Sequence, residues 1–257
     1  FEGNTVTSPI MVSYLNPTFQ NYITKWYALV LPIIKENLSE NGGPIAMMQL
    51  CNEIAMIHWL AKGPDYSENT TRLFQEFLKK KYKTISALNE IYGSSFKSFD
   101  LVLQPKGNTD EEGLARCLDF AFFYREYYAL YYKSLADRVK IADINIPLSA
   151  NIPGFYDYQM SGRGNQGLMC ISMFHDFSKY TPNTIFGGAY QMRRLDFENF
   201  HDAILMTEMM KSITTPGAPT VCAEMQVGGM NDRPRLYEAD VELNIKYSTW
   251  HGLNGIN

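Results

Sequence analysis

Two glutamates stand where short apolar runs end, and carboxylates placed that way can serve as a proton donor and a nucleophile. Glu53 follows Gln49-Leu50-Cys51-Asn52 in a run opened by Asn41-Gly42-Gly43-Pro44, and Glu224 follows Pro219-Thr220-Val221-Cys222-Ala223. Cleaving a glycosidic bond with retention takes one carboxyl group to protonate the leaving oxygen and a second, roughly 5 to 5.5 Å away, to attack the anomeric carbon. Asn52, directly before Glu53, is a residue type that can hydrogen-bond a sugar 2-hydroxyl as the transition state forms. The dipeptide alone is a weak signal. Asn89-Glu90 repeats it between Leu88 and Ile91 in helical periodicity, where a surface position is expected.

The elements that must hold these residues follow from the pattern of apolar positions. Phe19, Tyr22, Ile23, Trp26, Leu29, Val30, Ile33 and Ile34 predict a helix over 18–37, with Thr18 as its cap. Ile45 to Leu50 is a nearly continuous apolar run, as expected of a strand covered on both faces. Helices are predicted over 70–81, 85–92 and 112–142, the last containing Phe-Ala-Phe-Phe-Tyr-Arg-Glu-Tyr-Tyr-Ala-Leu-Tyr-Tyr at 120–132. That segment reads as one buried helix with tyrosine hydroxyls at its edges. Further strands are predicted at 146–152, 184–190, 219–223 and 252–257, a long loop at 154–167, and helices at 197–213 and 236–250. The methionines of 197–213 read as core filler. Strands alternating with helices give a parallel α/β arrangement. A closed barrel of this kind has eight strands, and before Ile45 only Thr5 to Val12 offers a weak further candidate.

Bulk properties narrow the classes of partner. The 257 residues are 46% hydrophobic, enough for one large α/β domain, and a net charge of -4 gives no footprint for nucleic acid or an anionic membrane surface. No run of eighteen apolar residues occurs. Cys51, Cys117, Cys170 and Cys222 lack CxxC spacing, which argues against a zinc site or a disulfide framework, so neither a metal nor a cofactor is expected. The chain starts at Phe1 without the pattern of a signal peptide, and the sequence leaves the compartment open. His175-Asp176 reads as a surface pair and Arg163 as a turn residue. There is no Ser-His-Asp order, P-loop or HExxH.

Asn41 to Ile54 resembles the Gly-Gly-Pro, strand, Asn-Glu segment of the family 35 and family 42 β-galactosidases, retaining glycoside hydrolases of clan A. Phe74 to Phe99 looks like the region after strand four in family 42, and Cys222-Ala223-Glu224-Met225-Gln226-Val227-Gly228-Gly229 is similar to its nucleophile segment. The resemblance implies a (β/α)8 TIM barrel, of which residues 1–257 would supply strands four to eight of the catalytic domain, with strands one to three absent from this chain. It implies Glu53 as acid/base, with a pKa raised by the negative nucleophile, Glu224 as that nucleophile, and Asn52 as the 2-hydroxyl partner. Asn151, Tyr190 and Trp250 fall where such enzymes line the sugar pocket. Many relatives carry an acidic residue at the position of Cys51, so a contact that tunes Glu53 is expected to be missing. The implied substrate is an oligosaccharide or galactoside. Another clan A sugar (glucoside, mannoside or arabinoside), a non-catalytic carbohydrate-binding half-barrel and a homo-oligomer all stay open.

Overall fold

The computed structural model describes residues 12–52, 64–106, 109–152, 184–192, 207–208, 210–212, 214, 217–222, 224–227 and 237–256. Helix α1 spans Pro17–Glu36. Its cap is Asn16 rather than Thr18: the Asn16 carboxamide accepts the Thr18 N–H at 2.9 Å. Pro17, which has no N–H to satisfy and a preset φ, fits the first helical position behind that cap. The apolar residues of α1 divide between two faces. Ile23, Tyr27 and Leu31 are buried, whereas Tyr22, Trp26, Leu29 and Ile33 are exposed. A helix apolar on both sides buries only the side that neighbouring elements cover.

The break after α1 needs its glycines. Gly42 has φ 82°, and a Cβ on Gly43 would lie 2.1 Å from the Asn37 carbonyl oxygen. Strand β1 is Met48–Asn52, shifted toward the C-terminus of the expected 45–50. The cause is local: Ile45 exchanges hydrogen bonds with Asn37 and Ser39 at the end of α1, and Met48 is the residue whose N–H reaches Pro147, at 3.0 Å. Nor is β1 covered on both faces. It forms one edge of the described sheet, half-buried at Met48, Leu50 and Cys51 and exposed at Gln49 and Asn52.

Helices α2 (Glu68–Tyr82), α3 (Ile85–Tyr92) and α4 (Leu114–Ile141) occupy the expected places. Asn89, the twin of Asn52, is a structural clamp in α3: its carboxamide donates to the Phe96 carbonyl and accepts from Phe96 N–H, both at 2.9 Å. Helix α4 is the core, with Phe120, Phe123, Tyr124, Tyr127, Tyr128 and Tyr132 buried against Phe74, Leu78 and Leu88. The rings meet mostly edge-on, as Phe74 does with Phe120 at 5.6 Å and with Phe123 at 5.4 Å. The hydroxyls reach partners outside the helix: Tyr124 donates to the Asp65 carbonyl at 2.9 Å and Tyr127 accepts from Leu15 N–H at 3.2 Å. One carboxylate ties the α2–α3 pair to α4. Asp119, almost wholly buried, accepts from the Tyr82 and Tyr92 hydroxyls at 2.6 and 2.8 Å and pairs with Lys81.

Strands β2 (Leu148–Ile152), β3 (Thr184–Met192) and β5 (Glu224–Val227) extend the sheet in the order β1-β2-β3-β5, every pair parallel. Strand β4 (Val221–Cys222), separated from β5 only by Ala223, pairs in parallel with β6 (Gly255–Ile256). Helix α5 (Glu238–Trp250) leads into β6. The β4–β5 segment runs beyond the expected end at Ala223, because β3 continues to Met192 and offers Ala189 to Met192 as partners for Glu224 to Val227. Five parallel strand positions, with helices described before β1, between β1 and β2 and before β6, are part of a (β/α)8 barrel. The expected strand at 5–12, apart from its last residue, the loop at 154–167, Arg163 and His175-Asp176 lie outside the described residues. So does most of the helix expected at 197–213, of which 207–208 and 210–212 are helical.

Candidate active site

In a barrel of this kind chemistry is carried at the carboxyl ends of the strands, and β1 ends on Asn52. In a regular strand Gln49 and Asn52, three residues apart, would face opposite sides. Here the register slips between Gln49 and Cys51: Gln49 pairs with Ser149 and Cys51 with Ala150, leaving Leu50 as an extra residue. That bulge returns Asn52 to the side of Gln49, and the Gln49 Nε2 donates to Asn52 Oδ1 at 3.3 Å. From β2, Asn151 Nδ2 donates to the same oxygen at 2.8 Å. Asn151 is buried while Asn52 is exposed. A buried carboxamide thus holds an accessible one at the strand ends.

The register extends this face across the sheet. Asn151 is opposite Gly187 on β3, and Ala189, two residues on, is opposite Glu224. Since alternate residues of a strand share a face, the Asn52, Asn151 and Glu224 positions belong to one side of the sheet. Tyr190 is opposite Met225 and belongs to the alternate set, so the register separates it from these three. Trp250 is set apart too. It is the last residue of α5, 72% exposed and edge-on to Tyr247 at 5.4 Å, and α5 delivers the chain to the amino end of β6, the opposite end from Asn52. Glu53 lies outside the described residues.

Cys51 points away from the Gln49–Asn52–Asn151 network. Its thiol donates to the Asn52 backbone carbonyl at 3.7 Å, and burial, the dominant cause, pushes its pKa up to about 11 while the neighbouring Tyr131 hydroxyl of α4 acts against that rise. Tyr14 stacks on Tyr131 at 4.4 Å and 16°, closing the wall behind β1. Cys51 therefore belongs to the packing between β1 and the helices. Sequence reasoning passed over Gln49, which read only as an interruption of an apolar strand. The signal was there as a lone polar side chain three residues before Asn52, but its meaning depends on the bulge. Among the described residues no group of three or more His, Cys, Asp or Glu could hold a metal ion.

A parallel α/β sheet with hydrogen-bonded carboxamides near the carboxyl ends of β1 and β2, and with the Glu224 position in register on the same face, is a segment of a TIM barrel. The chain belongs to glycoside hydrolase family 42, whose sequence profile, described as β-galactosidase, matches residues 5–251. It is 36% identical over 257 residues to a β-1,2-glucosyltransferase of Ignavibacterium album, covering all of this chain and 35% of that protein. It is 29% identical over 143 residues to an exo-β-D-glucosaminidase of Pyrococcus horikoshii, covering 54% of this chain and 18% of that protein. The fold is that of the β-galactosidase of the psychrophilic Marinomonas ef1, with a TM-score of 0.73 at 15% identity over 95% of this chain and 37% of that one. The chain thus spans about a third of the length of the Ignavibacterium relative.

Proposed function

We propose that the protein is a retaining β-glycosidase acting on terminal β-galactosides by double displacement. The observation that carries this reading is the Asn52–Asn151 hydrogen bond at the strand ends, with Glu224 in register on the same face. Glu53, the residue after Asn52, protonates the glycosidic oxygen while the Glu224 carboxylate attacks the anomeric carbon, so the sugar becomes esterified to Glu224 and the aglycone leaves. Glu53, now a carboxylate, takes a proton from the incoming acceptor, whose oxygen displaces Glu224 and restores the β configuration. Asn52, held by Asn151, hydrogen-bonds the 2-hydroxyl, a contact that strengthens as the ring gains oxocarbenium character.

A second reading concerns the sugar and the acceptor. Identity of 36% along the whole chain to a protein named a β-1,2-glucosyltransferase favours a β-glucosyl donor and a sugar hydroxyl in place of water. The same two glutamates would serve. The test is turnover of aryl β-galactoside and aryl β-glucoside by the intact protein, with and without added glucoside acceptor, beside its Glu224→Ala variant. Hydrolysis of the galactoside, lost in the variant and rescued by azide as the α-glycosyl azide, supports the first reading. Glucoside turnover that rises with acceptor and yields a disaccharide selects the second. A variant with wild-type turnover removes Glu224 from both.

A further inference from the structure

We infer that Gln49 is a positioning residue that, together with Asn151, sets which end of the Asn52 carboxamide faces the sugar; this rests on the retaining reading above. A carboxamide has a donor end and an acceptor end on opposite sides of Cγ. On the strand side, the Asn52 oxygen accepts from Gln49 Nε2 at 3.3 Å and Asn151 Nδ2 at 2.8 Å. With both donors on the oxygen, Nδ2 is the end turned away from them. Asn52 then meets the sugar 2-hydroxyl as a donor to its oxygen.

Two features make Gln49 suited to this. The Leu50 bulge brings residues 49 and 52, otherwise on opposite faces, to one side. Gln49 is also the one exposed polar residue ahead of Asn52 in a strand whose other preceding members, Met48, Leu50 and Cys51, are half-buried. A polar side chain there contributes little to packing. Its visible partner is Asn52.

The test changes the character of the Gln49 partner without changing its size. Gln49→Glu replaces the donor with a carboxylate that only accepts and sets it against the Asn52 oxygen, which opposes the carboxamide orientation that Gln49 and Asn151 together hold. The intact protein is assayed on the aryl β-hexoside it turns over and on the 2-deoxy analogue. For the 2-hydroxy substrate kcat/KM should fall about 10- to 100-fold, with less than about 3-fold change for the 2-deoxy substrate. Gln49→Met, which removes the donor without adding charge, should give about a 3- to 10-fold loss with the same selectivity. Combined with Asn52→Ala, neither substitution should cost more than Asn52→Ala alone. Equal losses on both substrates, or losses that add to those of Asn52→Ala, would overturn the assignment. Failure of the retaining reading has its own signature, undiminished turnover in Glu224→Ala.

Discussion

One buried carboxylate supplies the polar fastening of the α2–α3 pair to α4 beside the ring packing, and its removal should be felt across that layer. Asp119 accepts from the Tyr82 and Tyr92 hydroxyls at 2.6 and 2.8 Å and pairs with Lys81, whose side chain is 42% exposed. Hydrogen bonds to a charged acceptor contribute about 1.5 to 3 kcal/mol each, and a partly exposed ion pair at most about 1 kcal/mol. Truncation lets the half-buried phenols regain some hydration, so Asp119→Ala should destabilise by about 3 to 4 kcal/mol rather than the full sum. Asp119→Asn keeps one acceptor oxygen and should cost about 1 to 2 kcal/mol. The assay is urea unfolding, read as a lower midpoint at unchanged m. Alkaline difference absorbance adds an independent readout. Burial and the bonds to Asp119 hold the Tyr82 and Tyr92 phenols well above the usual tyrosine range, so both should ionise at lower pH in Asp119→Ala. If that variant unfolds within about 0.5 kcal/mol of the parent and its tyrosines titrate unchanged, the fastening argument is wrong.

Other expectations concern the core and its pH range. Phe74→Ala, at a fully buried ring touching Phe120 and Phe123, should cost about 3 to 5 kcal/mol in the same unfolding experiment. A loss under about 1 kcal/mol would mean that the α2–α4 contact collapses around the vacancy. Burial raises the Cys51 thiol from 9.0 to about 11 and the Tyr127 phenol from 10.0 to about 12. The unfolded chain releases these protons first, so the folded state holds more of them between about pH 9 and 12. Their contribution is complete below that window and falls through it by about 3 kcal/mol for each group. Urea midpoints taken from pH 8 to 11 should therefore fall, less steeply in Cys51→Ala and Tyr127→Phe; a flat profile would show that these groups titrate alike in both states.

Much of the frame was legible because periodicity is a local property. Helix α3 matched its predicted limits, α2 and α4 began and ended within two or three residues of theirs, and all five strand positions were found. The limits that moved did so for partners distant in sequence. Strand β1 shifted because Ile45 is held by Asn37 and Ser39 at the end of α1, and the β4–β5 segment lengthened because β3 continues to Met192. The cap moved from Thr18 to Asn16 on local chemistry that Pro17 already displayed.

For the site, the sequence by itself determined the residue types: an Asn-Glu pair after a Gly-Gly-Pro break, a second glutamate after an apolar run, and the family to which both belong. Which of the accompanying residues share a face depends on alternation counted through a bulge and across paired strands, and only the tertiary structure decides that. One extra residue at Leu50 joins Gln49 to Asn52, and register sets Asn151 and Glu224 on the same side while separating Tyr190. Direction matters as well. Trp250 is close in sequence to the last strand, but a helix that returns to the amino end of a parallel strand leaves its final residue at the far end from Asn52.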